Sequence, residues 1–281
     1  DGGLWKNMYQ HKWSANDTYL YDTWKYLYKV IMLSNKSLDD IESHKGALSY
    51  EQYKCYTAEV RAIRAMYYWY AMDLFGNIPL VTSYNVKLEQ VVQNKRSELF
   101  QFIVDELQQV APLLDDAKSN KAGDYYGRIT RPVVHFLLAK LALNAEIYSD
   151  DDWTDGKRMD GRSIFFNVNG EKKNAWETCI WYCDRLEREG YTLERDYASN
   201  FAVHNENSDE NILTIPLDKN LYLNEYQYLF RSRHYKHGEA YGCSSENGTC
   251  ATVSTVKAFG YGTAQVDARF HINFYADTVY V

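Results

Sequence analysis

The chain has 281 residues, of which 46% are hydrophobic and 25% charged, and it carries a net charge of −7. A mean hydropathy of −0.53 and the lack of any apolar run near about eighteen residues exclude a transmembrane helix. The acidic balance also argues against nucleic acid, which is held by neutralising phosphates with Lys and Arg. A neutral or weakly charged partner fits better. The unusual figure is aromatic: 26 Tyr, 11 Phe and 7 Trp make up 16% of the sequence.

The length allows one large domain or two ordinary ones. In chain order, the first element is a helix from about residue 16 to 43, with apolar residues at Tyr21, Trp24, Leu27, Tyr28, Ile31 and Leu38, and Asn16 or Asp17 as its cap. The strongest helical pattern covers 50 to 75. Tyr53, Tyr56, Val60, Ile63, Tyr67, Tyr70 and Leu74 form one stripe; Ala58, Ala62, Ala65, Trp69 and Met72 form a second beside it. Two adjacent apolar stripes predict burial on two sides, with the aromatics on them in the core or between helices. Gly76 is the expected stop and Pro79 prevents a restart.

Further helices are expected over about 95–114, 130–148 and 174–189. Their spacing suggests tetratricopeptide-like helix pairs, although the connections are too long for a regular array. After Gly190 the texture changes. Residues 209–216 predict a short strand, and from Leu221 the chain is aromatic and irregular until a short helical stretch near 251–259. The predicted fold is mainly α, with irregular loops and a few short strands.

The motifs of zinc proteases, P-loop enzymes and serine hydrolases are absent. The acidic run 150–156 has neither the glycine nor the glutamate of a calcium loop at the required positions, which favours a solvated loop. His234 and His237 lie three apart beside Arg231, Arg233 and Lys236 and are expected as surface residues. Cys179 and Cys183 fit small core positions on a helix. Cys243 and Cys250 flank a tight segment and could pair in an oxidising compartment. None of the cysteine spacings supplies four zinc ligands. Glu59, close in sequence to Arg61 and Arg64, is expected in a structural ion pair. No metal, cofactor or catalytic constellation emerges.

A second population of aromatics lies off the helical stripes: Trp5, Tyr9 and Trp13 before the first long helix, then Tyr222, Tyr226, Tyr228, Tyr235 and Tyr241. Flat apolar ring faces suit sugar rings, and nearby amides and charged groups can bond hydroxyls. Together these two clusters predict a binding face.

The run Ala58-Glu59-Val60-Arg61-Ala62-Ile63-Arg64-Ala65-Met66-Tyr67-Tyr68-Trp69-Tyr70, followed by Asp73-Leu74-Phe75-Gly76-Asn77-Ile78-Pro79-Leu80-Val81, resembles the signature of the SusD/RagB family. Ala139–Glu146, Gly190–Leu193, Tyr197–Phe201 and Glu210–Leu213 resemble its later landmarks in the same order. The resemblance implies a non-catalytic lipoprotein of Bacteroidetes-type bacteria, surface-exposed and lipid-anchored in the outer membrane. Such a protein would capture a glycan and deliver it to a SusC-like TonB-dependent transporter. Relatives serving peptide uptake supply an alternative, as does a helical-repeat scaffold that binds a protein. The resemblance also implies that residues 1–281 form a single SusD-like domain, the N-terminal part of a longer chain. In starch-binding relatives, ligand contacts come from the segment before the first long helix and from later loops. On this pattern Trp5 keeps a family tryptophan, whereas Asn7 and Gln10 stand where a tryptophan and an asparagine are found. Tyr226 matches a family tyrosine, and Thr249, after Asn247-Gly248, replaces a tryptophan. The candidate glycan contacts are therefore Trp5, Asn7, Tyr9, Gln10, Trp13, Tyr226, Tyr228, Tyr235, Tyr241 and Asn247.

Overall fold

The computed structural model describes residues 3–152, 154–217, 220, 234–242, 245 and 250–276. They fall into two compact units: a helical unit of Ser14–Glu194 with Val203–Ile215, and a second unit of Asp1–Trp13, Arg195–Ala202 and Pro216–Val281.

The helical unit opens with α2 (Thr18–Ser43), preceded in the chain by the short α1 (Gly3–Tyr9) of the other unit. Next comes α3 (Tyr50–Phe75). Ser49 starts α3 with a reciprocal capping box: its hydroxyl accepts from Gln52 N while Gln52 accepts from Ser49 N. Gly76 ends it at φ 73°, a conformation that favours glycine. Then follow α4 (Arg96–Val110), α5 (Arg131–Leu143), the single turn α6 (Ala145–Tyr148) and α7 (Ala175–Arg188). Each long helix packs on its predecessor, α2 on α3, α3 on α4, α4 on α5 and α5 on α7. The fold is mainly α, as the periodicity predicts.

The core depends on small residues. Ala58, Ala62, Ala65 and Ala71 of α3 are completely buried together with Tyr68 and Met72, and Leu99, Ile103 and Leu107 of α4 meet them. Alanines let neighbouring helix axes approach closely. The aromatic stripe expected in the core sits differently: Tyr56 and Tyr70 are exposed, while Tyr53, Tyr67 and Trp69 are half-buried. The alanine side takes the packing contacts, which rotates the tyrosine stripe towards the flank.

Several boundaries differ from expectation for local reasons. The helix expected to 114 ends as α4 at Val110, because Pro112 turns the chain into a 3-10 turn over Ala111–Leu113. The helix expected over 130–148 breaks at Asn144, whose side-chain amide donates to the Lys140 carbonyl (2.9 Å) in competition with the backbone ladder. Residues 209–216 form no strand. Their amides are taken by side chains: Asp209 N donates to Glu194 (2.7 Å), and Glu210 N and Asn211 N both donate to the Ser208 hydroxyl. A hairpin appears elsewhere, with β1 (Phe165–Val168) antiparallel to β2 (Glu171–Asn174) across the turn Asn169-Gly170. Both turn residues have positive φ, 54° and 84°, as a two-residue hairpin requires.

In the second unit lie α1, α8 (Tyr235–Ala240), α9 (Val253–Ala258) and α10 (Phe270–Asn273). Phe270 is its buried centre, ringed by Tyr261, Phe274 and His271 at centroid distances of 5.0–5.3 Å.

Candidate functional site

The long motif around α3 acts inside the helical unit. Arg64 is buried and donates to Glu106 on α4 (2.8 Å), to Asn35 on α2 (2.9 Å) and to the Thr82 carbonyl (3.3 Å). Arg61 completes a bidentate grip on Glu106 at 3.2 and 2.5 Å and also reaches Gln109. Burial alone would raise the Glu106 pKa, but the hydrogen bonds from Arg61 and Arg64 outweigh it and hold the carboxyl below its ordinary value. Glu59 is in a structural ion pair, as expected, and its partner is Arg128. One helical turn separates Arg61 and Arg64 from each other along one flank of α3, and Glu59 faces the other way.

The segment after Gly76 is pinned by the same helices. The buried Tyr68 hydroxyl donates to the Val81 carbonyl and accepts from the Val81 amide, both at 2.7 Å. Asn35 donates to the same carbonyl, and Tyr28 donates to the Pro79 carbonyl. Trp69 donates to the Tyr148 hydroxyl, which donates to Asp73 (2.6 Å). Every polar residue of the motif named here bonds protein, so these side chains serve the structure of the helical unit.

Several other sequence expectations resolve in the same way. In the acidic run, Asp151 caps α4 from a distance, accepting from Ser97 N (3.1 Å) and its hydroxyl (2.8 Å), and Asp152 accepts from Thr154. Among the described residues no three His, Cys, Asp or Glu side chains cluster as a metal site. Cys179 is half-buried, whereas Cys183 is exposed rather than core. Burial and the neighbouring Cys183 push the Cys179 thiol up to about 11. Cys243 lies outside the described residues, so its suggested pairing with Cys250 does too. His237 lies on α8 rather than in a loop and His234 just before it, capping α8 by accepting from Lys236 N; the His237 ring lies 5.0 Å from Tyr275.

The candidate glycan contacts that are described all lie in the second unit. Trp5, Asn7, Tyr9 and Gln10 belong to α1 or its end, Trp13 follows, and Tyr235 and Tyr241 bracket α8. Tyr226, Tyr228 and Asn247 lie outside the described residues. The five described aromatics are all exposed, from 48% at Trp13 to 73% at Tyr9. The segment expected to be irregular is helical, and the helix puts Trp5 and Tyr9 on one face, four residues apart, with Met8 beside them. Lys12 N donates to the Asn7 carbonyl and His11 N to the Met8 carbonyl, a Schellman ending with His11 at φ 54° in place of glycine. This reversal sends Trp13 back beside His11, ring centroids 5.0 Å apart. No residue of α1 is buried, so packing does not account for its aromatic composition.

No helix among the described residues is long and apolar enough to cross a membrane. Comparison with known proteins gives a consistent result. The starch-binding protein SusD of Bacteroides thetaiotaomicron is 31% identical over 160 residues, covering 52% of this chain and 27% of that protein. A SusD-like protein of Bacteroides ovatus is 25% identical over 205 residues, covering 72% of this chain and 34% of that protein. The chain thus spans about a third of the length of these curated relatives. A solved structure described with a xylogluco-oligosaccharide has a TM-score of 0.70 at 19% identity, covering 93% of this chain and 48% of that one, a likeness of fold. Residues 2–143, just over half of the chain, match the SusD-like family described as starch-binding and associating with the outer membrane, and the chain belongs to that family.

Proposed function

We propose that this chain belongs to a non-catalytic surface protein that captures a glycan and delivers it to a SusC-like TonB-dependent transporter, held at the outer membrane by a lipid anchor. The observation that carries the reading is the exposure of Trp5, Tyr9, Trp13, Tyr235 and Tyr241 within a single compact unit. Such a group of rings offers apolar faces to the C–H faces of pyranoses, with Asn7 and Gln10 available for hydroxyls. A relative named for starch and a neighbour described with a xylogluco-oligosaccharide support a carbohydrate ligand. The helical unit serves as the rigid body on this reading, because its polar motif is consumed by internal bonds.

Affinity electrophoresis against starch, xyloglucan and other neutral polysaccharides tests the proposal, with release of reducing sugar followed in parallel. Retardation by at least one polysaccharide without release of sugar is the expected result. Binding of peptides with no polysaccharide retarded would replace glycan with peptide as the cargo. Hydrolysis of a bound glycan would overturn the non-catalytic assignment.

A further inference from the structure

The helical unit contains an open cleft of about 560 Å³, well separated in the sequence from every candidate glycan contact. Its wall is built by Gln108 at the end of α4, Arg131 and His135 on α5, Asn167 in the hairpin, and Trp181 and Arg185 on α7. Its volume lies in the range of small-ligand sites.

The lining is unlike the rest of the molecule in charge. The chain is net −7, yet the cleft lining includes two guanidinium groups and an imidazole and no carboxylate. The acidic partners sit behind it: Glu189 pairs with the buried His135 (2.9 Å) and with Arg185 Nε (3.4 Å). Each nitrogen of Arg131 already has a partner, Nε and one terminal nitrogen donating to the Ala111 and Leu114 carbonyls and the other pairing with Asp116, which fixes the guanidinium in place. Arg185 is different: only its Nε is engaged, and its terminal nitrogens have no partner among the described residues. It is half-exposed and can present a two-pronged donor to an oxyanion.

An aromatic surface accompanies that donor. Trp181 lies four residues before Arg185 on α7, hence on the same helical face. The ring is half-buried and braced edge-on against Tyr182, with centroids 4.9 Å apart and planes at 88°. The opposite wall is fixed as well, since Gln108 donates to the Asn167 carbonyl (2.9 Å) and ties α4 to the hairpin. A braced indole, an open guanidinium and amide side chains are the parts needed to hold a sugar ring that bears a negative charge.

We propose that this cleft is a second saccharide subsite, selective for a carboxylated sugar, with Trp181 stacking on the uronate ring and Arg185 pairing with its carboxylate. The inference rests on the reading of the protein as a glycan binder, but on different residues from those of the aromatic face.

Calorimetric titration of the whole chain with di- to tetrasaccharides of galacturonate, glucuronate and mannuronate, each beside its neutral counterpart, tests it. At least one uronate series binds, its neutral counterpart binds at least about tenfold more weakly, and the affinity falls as salt is raised. Arg185→Gln and Trp181→Phe each lower uronate affinity, the former at least about tenfold, with circular dichroism unchanged. Tyr70→Ala, an exposed aromatic of α3 that does not line the cleft, leaves uronate affinity intact. Failure of all three uronate series to bind, or binding that Arg185→Gln leaves unchanged, overturns the subsite. If neutral polysaccharides still bind through Trp5 in that case, the glycan-capture reading survives alone; if no glycan of either kind binds, both fall.

Discussion

Arg64 on α3 and Glu106 on α4 meet at 2.8 Å inside the helical unit, and Arg61 holds the second oxygen of the same carboxylate. One buried acid thus neutralises two arginines and locks α3 to α4, while Arg64 also reaches Asn35 on α2. Removing the acid leaves a buried guanidinium unpaired, which is far costlier than the pair itself is stabilising. Glu106→Ala should lower unfolding stability by about 3–5 kcal/mol, measured by urea denaturation followed by circular dichroism. A loss under about 1 kcal/mol would show that water replaces the carboxylate and that the cluster is not buried in solution.

The same carboxylate makes stability depend on acid. Its folded pKa is held below the ordinary value, so its contribution is complete above the unfolded value of about 4.3 and fades as pH falls through the folded pKa. Urea midpoints measured from about pH 6 down to about pH 3 should therefore drop, and Glu106→Gln should show a shallower drop over the same interval. Parallel curves for the two proteins would assign the acid sensitivity to other carboxylates.

Tyr68 bridges a gap that no sequence pattern announces. Its hydroxyl serves both the amide and the carbonyl of Val81, and burial raises its pKa to about 12, with the contact to Val81 acting in the opposite direction. Tyr68→Phe removes the acceptor of a buried amide, whereas the Val81 carbonyl keeps its bond from Asn35. The expected cost is about 1–3 kcal/mol. Hydrogen exchange at Val81 should quicken together with the loss in urea stability; an unchanged Val81 exchange rate would mean that another donor or acceptor takes over.

What could be read in the sequence follows from the range of each signal. The limits of α3 were legible because Ser49, Gln52 and Gly76 act within a few residues of the ends they define. The identity of the buried stripe was not, since alanine and tyrosine stripes both satisfy helical periodicity and only the neighbours α2 and α4 decide between them. Glu59 could not be matched to Arg128, nor Arg64 to Glu106, because partners 69 and 42 residues away leave no local trace. The hairpin has a local signal in Asn169-Gly170, whereas α1 is masked by a histidine at the position a C-terminal glycine would take. On the candidate site, the sequence singles out aromatics that lie off the helical stripes, and the five that are described are exposed. The cleft around Arg185 had no such signal, being assembled from four separate segments.

Asp151 offers a test of the acidic run. Its carboxylate caps α4 from 54 residues away through Ser97, and caps of this kind are worth about 1 kcal/mol. Asp151→Ala should lower stability by about that amount, whereas Asp152→Ala, whose carboxylate bonds the local Thr154 and no other described residue, should change it by less than about 0.5 kcal/mol. Thermal denaturation of the two variants side by side separates a helix cap from a generic acidic loop. Equal effects would refute the capping role.

Exposed aromatics occur on both units, which allows the aromatic face to be separated from a general stickiness of the protein. Tyr9 on α1 and Tyr70 on α3 are both exposed, but Tyr70 belongs to the helical flank that a protein-binding scaffold would use. If Trp5 and Tyr9 hold the glycan, Trp5→Ala and Tyr9→Ala should each weaken polysaccharide retardation by about tenfold or more, as central aromatic anchors do. Neither should alter thermal stability, since no residue of α1 is buried. Tyr70→Ala should leave retardation unchanged. The opposite pattern, with glycan binding insensitive to Trp5 and Tyr9 and lost with Tyr70, would move the site onto the helical unit and favour a scaffold that recognises its ligand along the helices.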